Sequence, residues 1–343
     1  MISVGIVGAG LSAQVFHAPF ILNNDRFKLV SFLRNSSNNA VPGFEDIPVT
    51  TNKLEFINNI DFVVITSPSH LHYQQVLEYL HLKKHVVVEK PMATTHRQAL
   101  ELIALAKENK LVLACYQNRV FDGDFMTVQS LIKENQLGRI VEVESNFDRF
   151  RPYMKSADAW RELDLEASGI LYDLGPHLIH QALVLFGIPL SVQAIVANTR
   201  QLQETSTVDY FSIVLRYKDQ IVRLGARMVA RINSPRFVVH GMKGSFSIEG
   251  TDPQEPQLRS GVKVTDSSFG VSGERNAKLV NDSVNSAIKV KNGNYAQFYK
   301  IMADTIESMD FTKIAIFQEY AVLTIKIIEA ALESSNTGSA IIL

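Results

Sequence analysis

Ser3-Val4-Gly5-Ile6-Val7-Gly8-Ala9-Gly10-Leu11-Ser12-Ala13, close to the N-terminus, is the stretch that decides how this chain folds. Ser3–Val7 is a short apolar run, and Gly8–Ala13 follows it as G-x-G-x-x-A. Each small residue has a steric reason. Gly8 permits the tight turn out of a strand, Gly10 removes the Cβ that would hold a pyrophosphate away from the backbone, and Ala13 lets helix and strand pack closely. The helix that follows, patterned by Val15, Phe16 and Phe20, points free N–H groups and its positive dipole end at the phosphates. A glycine turn without a ligand is the alternative. The position between an apolar run and a helical pattern favours a dinucleotide site that includes Gly8, Gly10, Leu11 and Ser12.

Working outward, Lys28–Leu33, Phe62–Ser67, Val86–Glu89 and Leu111–Tyr116 are continuous apolar runs, as expected of strands covered on both faces of a parallel sheet. Helical patterns lie between them at Leu71–Leu82 and Thr95–Asn109, the latter with a predicted buried stripe of Leu100, Ile103, Ala104 and Ala106. Alternating strand and helix predict an α/β Rossmann domain, a doubly wound parallel sheet whose strand ends share one edge. Polar residues follow each run at that edge: Arg34-Asn35-Ser36-Ser37, Thr66-Ser67-Pro68-Ser69, Glu89-Lys90-Pro91 and Gln117-Asn118-Arg119. Together with the glycines they make a ligand edge, with Thr66, Ser67, Pro68, Glu89 and Asn118 as cofactor candidates.

An NAD site usually places an acid at the second strand end to bind the ribose hydroxyls. Here no acid follows Leu33 until Glu45. Arg34, Ser36 and Ser37 could instead hold a 2′-phosphate, so the reading is NADP preferred with NAD possible. A solvated loop arginine is the alternative.

The chain has 343 residues, 46% of them hydrophobic, enough for two domains with sizeable cores. We divide it into a dinucleotide-binding domain at 1–120 and a substrate-binding and oligomerisation domain at 121–343. With 34 basic and 35 acidic residues, the charge gives no reason to expect nucleic acid or a membrane as partner. No apolar run approaches a membrane span, and the nucleotide strand begins too early for a signal peptide to precede it. The single cysteine, Cys115, sits in the apolar run LVLACY and reads as a buried strand residue of a cytoplasmic protein.

After Arg119 the pattern changes. A helical stretch at Met126–Glu134 leads into the alternating run Ile140–Phe150, and further strands are expected at Val192–Thr199, Asp209–Tyr217, Ile221–Met228 and Phe237–Gly241. With few helices between them they predict a C-terminal α+β domain with a large, mainly antiparallel open sheet. Thr251–Asn294 reads as a polar surface excursion, and two helices, Tyr295–Ser308 and Phe317–Ser334, close the chain. The two unlike faces of Ile221–Met228 predict a homodimer or a dimer of dimers.

Two constellations carry chemistry. A lysine at the end of Val86–Glu89 could hydrogen-bond a reacting oxygen and stabilise negative charge there, with Pro91 fixing the chain just after Lys90, in cis or trans. A surface lysine is the alternative. In Gly169–Gln181, Asp173, His177 and His180 share one helix face by spacing, with Pro176 either starting or kinking that helix. Three readings fit: ligands for a metal such as zinc, a proton-moving His177 oriented by Asp173, or a capping acid with two core histidines.

VGIVGAGLSA, FHAPF, KKHVVVEKP, QNRVFDGDF, FDRFRP, W-R-E at Trp160, D-L-G-P-H and YFSIVLRY together resemble the Gfo/Idh/MocA oxidoreductases over essentially the whole chain. The resemblance is greatest to the branch of scyllo-inositol dehydrogenases and related polyol and sugar dehydrogenases. It implies hydride transfer between a nicotinamide cofactor and a secondary alcohol or ketone. Lys90 then contacts the reacting hydroxyl, His177 is the acid/base and Asp173 its partner, with no catalytic metal. Asn118 and Arg119 fall at cofactor and substrate contacts, Arg119 on the substrate side, and Trp160 and Arg161 match a pair lying against the cofactor. His180 stands where many relatives have an aspartate that holds substrate hydroxyls, so it is a substrate-recognition candidate and the substrate class is less defined than the reaction. The family also includes NAD-dependent glycosidases with transient redox and a dinucleotide-sensing regulator; retention of Lys90, Asp173 and His177 argues against the latter.

Overall fold

The alternation in the first 118 residues resolves into a parallel sheet in a computed structural model that describes residues 1–35, 39–156 and 159–343. Its strands are β1 (Ile2–Val7), β2 (Phe27–Leu33), β3 (Val49–Thr50), β4 (Phe62–Ile65), β5 (His85–Val88) and β6 (Leu113–Cys115), in the order β3-β2-β1-β4-β5-β6. Every neighbouring pair is parallel. All strands therefore end on one edge, as expected of a doubly wound sheet with its order reversing beside β1. Val63, Val64, Val86 and Val87 are buried, which is why these runs lack alternation. Cys115 is buried at the end of β6, and burial pushes its thiol pKa up.

The connecting helices follow their capping signals. A wide π-type turn at Ala13–His17 runs into α1 (Ala18–Leu22), then come α2 (Lys53–Asn58), α3 (His72–His81) and α4 (His96–Glu108). Thr95 caps α4 in a reciprocal box with Gln98, which sets its start. The stripe of α4 differs from expectation: Ala99, Leu102, Ile103 and Ala106 are buried, whereas Leu100 is 49% exposed. A run of apolar residues on adjacent faces left the phase of this helix ambiguous by one position.

The chain forms two compact units. The first comprises Met1–Asn118, Gln254–Phe269 and Asn294–Val322, and the second comprises Arg119–Pro253, Gly270–Gly293 and Leu323–Leu343. In the second unit α5 (Gly123–Lys133) precedes β7 (Ile140–Asn146), and α6 (Gly169–Phe186) precedes β8 (Ser191–Ala197), β9 (Tyr210–Arg216), β10 (Ile221–Arg227) and β11 (Phe237–Gly241). Next come β12 (Gly244–Ile248), α7 (Gln254–Arg259, in the first unit), β13 (Ala277–Asn281) and β14 (Asn285–Ala287). The chain finishes with α8 (Ala296–Ser308, first unit), α9 (Ala315–Thr337) and β15 (Ile341–Ile342). Among the described residues nine strands form one sheet, β14-β13-β12-β11-β7-β10-β9-β8-β15, antiparallel except for the β7–β10 pair.

Three expectations are corrected here. Thr251–Asn294 is no mere surface excursion, because it contributes α7, β13 and β14. β12 was not anticipated, since Gly-Ser-Phe-Ser-Ile buries only Phe246 and Ile248. Ile140–Phe150 is regular only to Asn146 and then touches Val229 through one bridge at Phe150.

Helix α6 packs against β9 and β10 and is buried along most of Gly169–Leu183. Pro176 lies inside it, so the chain passes this proline as helix rather than starting there. Gly169 begins the helix at φ +78°, where an added Cβ would come 2.9 Å from the Val208 carbonyl oxygen.

Candidate functional site

In the first unit, the glycine turn has the shape its sequence calls for. Gly8 sits at φ +92°, and a Cβ there would fall 2.7 Å from the Thr66 hydroxyl, which itself donates to the Val7 carbonyl at 2.8 Å. A Cβ on Gly10 would meet nothing within 4 Å. That open space beside bare backbone at the start of a helix fits a pyrophosphate. Leu11 is 53% exposed at the rim of the turn, Pro68 is half-buried, and Ser67 donates to Gln75 Oε1 at 2.5 Å. The hydroxyls of Thr66 and Ser67 therefore shape the two loops, and the space beside Gly10 is left open. Arg34 is half-buried, its backbone N–H donating to Thr50 and one guanidinium nitrogen lying 3.4 Å from the Asn39 carbonyl. Ser36 and Ser37 lie outside the described residues.

The end of β5 is built around Glu89. Ser12 donates its hydroxyl to Glu89 Oε1, His17 Nε2 lies 3.1 Å from the same oxygen, and the Lys90 backbone N–H donates to Oε2 at 3.1 Å. Burial by itself raises the Glu89 pKa. The hydrogen bond and the charge of His17, the Ser12 hydrogen bond and the charge of Lys90 overcome it and hold the carboxyl at about 2. Glu89, a cofactor candidate by sequence, also joins the glycine-turn helix to the lysine turn. The Lys90–Pro91 bond is cis. Beneath it, buried His72 spans two carbonyls, with Nδ1 2.7 Å from Pro91 and Nε2 2.8 Å from Ser67. Burial keeps the His72 pKa below 6.5 despite those two acceptors. Asn118, 5% exposed, opens a short turn at the end of this unit.

In the second unit, α6 carries Asp173, His177 and His180 at positions i, i+4 and i+7 of one helix. His177 and His180 are buried at 7% and 1% exposure. Asp173 accepts from two arginines: Arg149 Nη1 at 3.1 Å and Arg161 Nε at 3.2 Å. The Arg161 guanidinium also stacks on Trp160, 4.4 Å from its ring centroid. Arg119 lies 3.4 Å from Asp122 and 5.1 Å from the Phe147 ring. Among the described residues no three His, Cys, Asp or Glu side chains gather as metal ligands.

Sequence reasoning left three parts of this arrangement unused. His17, fully buried, and His72 act within the first unit, although each stands in a stretch with a clear pattern. Arg200 bonds Asp209, Glu162 and the carbonyls of Arg151 and Tyr153, and so holds the segment carrying Trp160 and Arg161. A polar residue inside an otherwise apolar helix face was the available signal for His17.

Comparison with known proteins matches two family descriptions. Residues 2–117 fit "Oxidoreductase family, NAD-binding Rossmann fold" and residues 129–343 fit "Oxidoreductase family, C-terminal alpha/beta domain", the two halves of GFO_IDH_MocA. The chain belongs to the Gfo/Idh/MocA oxidoreductase family. As a member it is an enzyme, an NAD(P)-dependent dehydrogenase with an NAD(P)-binding Rossmann domain. This Gfo/Idh/MocA chain is 37% identical to scyllo-inositol 2-dehydrogenase (NADP(+)) IolW of Bacillus subtilis (strain 168), covering 100% of this chain and 96% of that protein. Glucose-6-phosphate 3-dehydrogenase of the same organism is 25% identical over 78% of this chain and 79% of its own length. The crystal structure of an oxidoreductase from Bacillus cereus superposes with a TM-score of 0.90 at 30% identity, covering 100% and 99% of the two chains. Among the described residues, no helix of this family member is long and apolar enough to cross a membrane.

Proposed function

We propose that the enzyme prefers NADP and moves hydride between the nicotinamide and a secondary alcohol, or its ketone, of an inositol-like polyol or sugar. What carries this reading is the sharing of one strand-end edge by the open glycine turn and a lysine turn whose backbone Glu89 holds. A relative that acts on scyllo-inositol, similar along the entire chain, supports the substrate class. The cofactor, when bound, supplies the hydride acceptor. Gly8, Gly10, Leu11 and Ser12 would hold its pyrophosphate, Arg34 and Ser36 its 2′-phosphate, and Thr66, Ser67, Pro68, Asn118, Trp160 and Arg161 the remainder.

Oxidation of a secondary alcohol requires the O–H proton to leave as the carbonyl forms. A base that titrates near neutrality suits this, and histidine starts closest to that range. His177 takes the proton, Asp173 orients its ring, and the Lys90 ammonium hydrogen-bonds the oxygen and favours the developing alkoxide. Arg119 and His180 recognise the other hydroxyls. A spectrophotometric screen of polyols and keto-sugars at the nicotinamide absorbance, run with both cofactors, tests this. Turnover of an inositol with NADP is expected. The reading fails if no polyol or ketone is turned over, and the cofactor part fails if NAD binds tenfold better at matched salt. We further propose a homodimer or dimer of dimers on the sheet face where Ile195 and Ile221 are 62% and 42% exposed; a monomer mass by light scattering would reject it.

A further inference from the structure

Inside the first unit, one buried polar chain connects the lysine turn to a helix more than two hundred residues away in sequence. Tyr299, on α8, is 1% exposed, and its hydroxyl lies 2.6 Å from His17 Nδ1. His17 is fully buried, with its ring 4.3 Å from that of Tyr116 and its Nε2 3.1 Å from Glu89 Oε1. Glu89 then accepts the Lys90 backbone N–H on its other oxygen at 3.1 Å.

The direction of each bond follows from what each atom can do. A carboxylate only accepts, so His17 must present an N–H at Nε2. With Nε2–H turned to Glu89, Nδ1 faces the Tyr299 hydroxyl, which can donate to it or accept from it. Burial raises the Tyr299 pKa well above 10, so its proton is retained to make that bond. The alternative tautomer would turn the His17 lone pair toward the Glu89 carboxylate, two acceptors facing each other in a buried site. Tyr299 therefore holds the ring with Nε2–H turned to Glu89. Glu89 has Ser12 and His17 on one oxygen and the lysine turn on the other, so its orientation sets that of the Lys90 backbone.

We propose that Tyr299 is a positioning residue for Lys90, acting through the His17 ring and the Glu89 carboxylate. The functional half of this inference rests on the reading of Lys90 as the group that meets the substrate oxygen; the structural half does not.

Tyr299→Phe removes one oxygen and keeps the ring that packs in this core, so the variant should fold with near-normal melting. Two readouts need neither cofactor nor substrate. The first is the long-range nitrogen–proton correlation of the His17 ring, assigned by its loss in His17→Gln. The wild type should show the Nε2–H form, and Tyr299→Phe should shift or mix it. The second is hydrogen exchange at the Lys90 amide, which should quicken by roughly tenfold or more as local opening becomes easier. His17→Gln, whose amide can still donate to Glu89, should exchange Lys90 more slowly than His17→Leu; this arm stands even if Tyr299→Phe folds poorly. Kinetically, Tyr299→Phe should lower kcat by about tenfold with NADP affinity within about twofold, the pattern of an interaction used in the transition state. The proposal is overturned if Tyr299→Phe leaves the His17 signal and Lys90 exchange as in the wild type. It is equally overturned if His17→Leu exchanges as slowly as the wild type, or if kcat is unchanged where Lys90→Ala abolishes it. Full turnover by Lys90→Ala would instead sink the assignment of Lys90 and leave the exchange results to judge the Tyr299–His17–Glu89 chain.

Discussion

Glu89 and Asp173 each sit close in sequence to a side chain proposed to handle a proton, and they are held in opposite ways. Glu89, with a 15% exposed side chain, is gripped by Ser12, His17 and a backbone N–H from within the first unit. Asp173, 19% exposed, is gripped by two guanidinium groups whose own side chains are 30% and 50% exposed. Short directional bonds in a buried pocket are insensitive to the solvent, whereas ion pairs at an exposed rim compete with water and are screened by salt over about 10 Å at 0.1 M. The contrast implies a lysine turn set by packing and a histidine helix whose neighbouring carboxylate is tuned by charge.

The largest effects should come from the groups proposed to handle the proton. Lys90→Ala and His177→Ala should each lower kcat by ~100-fold or more, the scale of general acid–base losses, with NADP binding near normal. If both act on one proton transfer, the double variant should lose less than the sum. His180→Ala should chiefly raise KM and change the choice among polyols. A His180→Ala variant that loses kcat while His177→Ala keeps it would reverse the two assignments.

Next in size, Glu89→Gln should destabilise the protein near neutral pH. A carboxyl lowered from 4.5 to about 2 on folding contributes on the order of 3 kcal/mol, at 1.36 kcal/mol per pKa step. The pKa is depressed in the folded state, so this stability is fully present above pH 4.5 and disappears as pH falls through about 2. Urea unfolding of wild type and Glu89→Gln should therefore differ by a constant amount above pH 5 and converge toward pH 2. Curves that run parallel down to pH 2 would mean that Glu89 is not held as described.

Arg34→Asp should narrow or reverse the proposed preference for NADP over NAD by about tenfold, or ~1.4 kcal/mol, in paired titrations. The smallest effect should separate the two carboxylates directly. Arg149→Ala should cost no more than ~1 kcal/mol in transition-state stabilisation, and the difference from wild type should fade between 50 mM and 500 mM salt. The Glu89→Gln stability difference should hardly respond to the same salt series. Equal salt responses would erase the distinction drawn here.

The parts of this molecule that were legible in its sequence are those set by neighbours along the chain. The glycine turn, the apolar runs of β1, β2, β4 and β5, and the capping pair Thr95 and Gln98 are local patterns with local causes. The Asp173–His177–His180 spacing was likewise readable once Gly169–Phe186 was seen as helix. The stripe of α4 was misread because Leu100 and Ala104 are apolar yet exposed, and composition alone does not reveal phase. Strands β13 and β14 were hidden because their exposed positions, such as Lys278 and Ser286, look like loop. The link among His17, Glu89 and Tyr299 was hidden for another reason. Their meaning lies in a contact spanning 282 positions, and no short-range pattern marks it.

The return of Gln254–Phe269 and Asn294–Val322 to the first unit also matters while the protein is being made. Phe298 packs edge-on against Tyr116 at 4.7 Å, and Tyr299 reaches His17, so the nucleotide-binding unit is finished by residues translated near the end of the chain. At ~5–20 residues per second, the first 118 residues wait roughly ten seconds or more after their own synthesis before the helix that completes them leaves the ribosome. A gene fragment cut after Asn118 would encode the whole glycine-turn sheet yet leave the Tyr116 ring and His17 without these partners, a surface suited to capture by chaperones until the rest of the chain arrives.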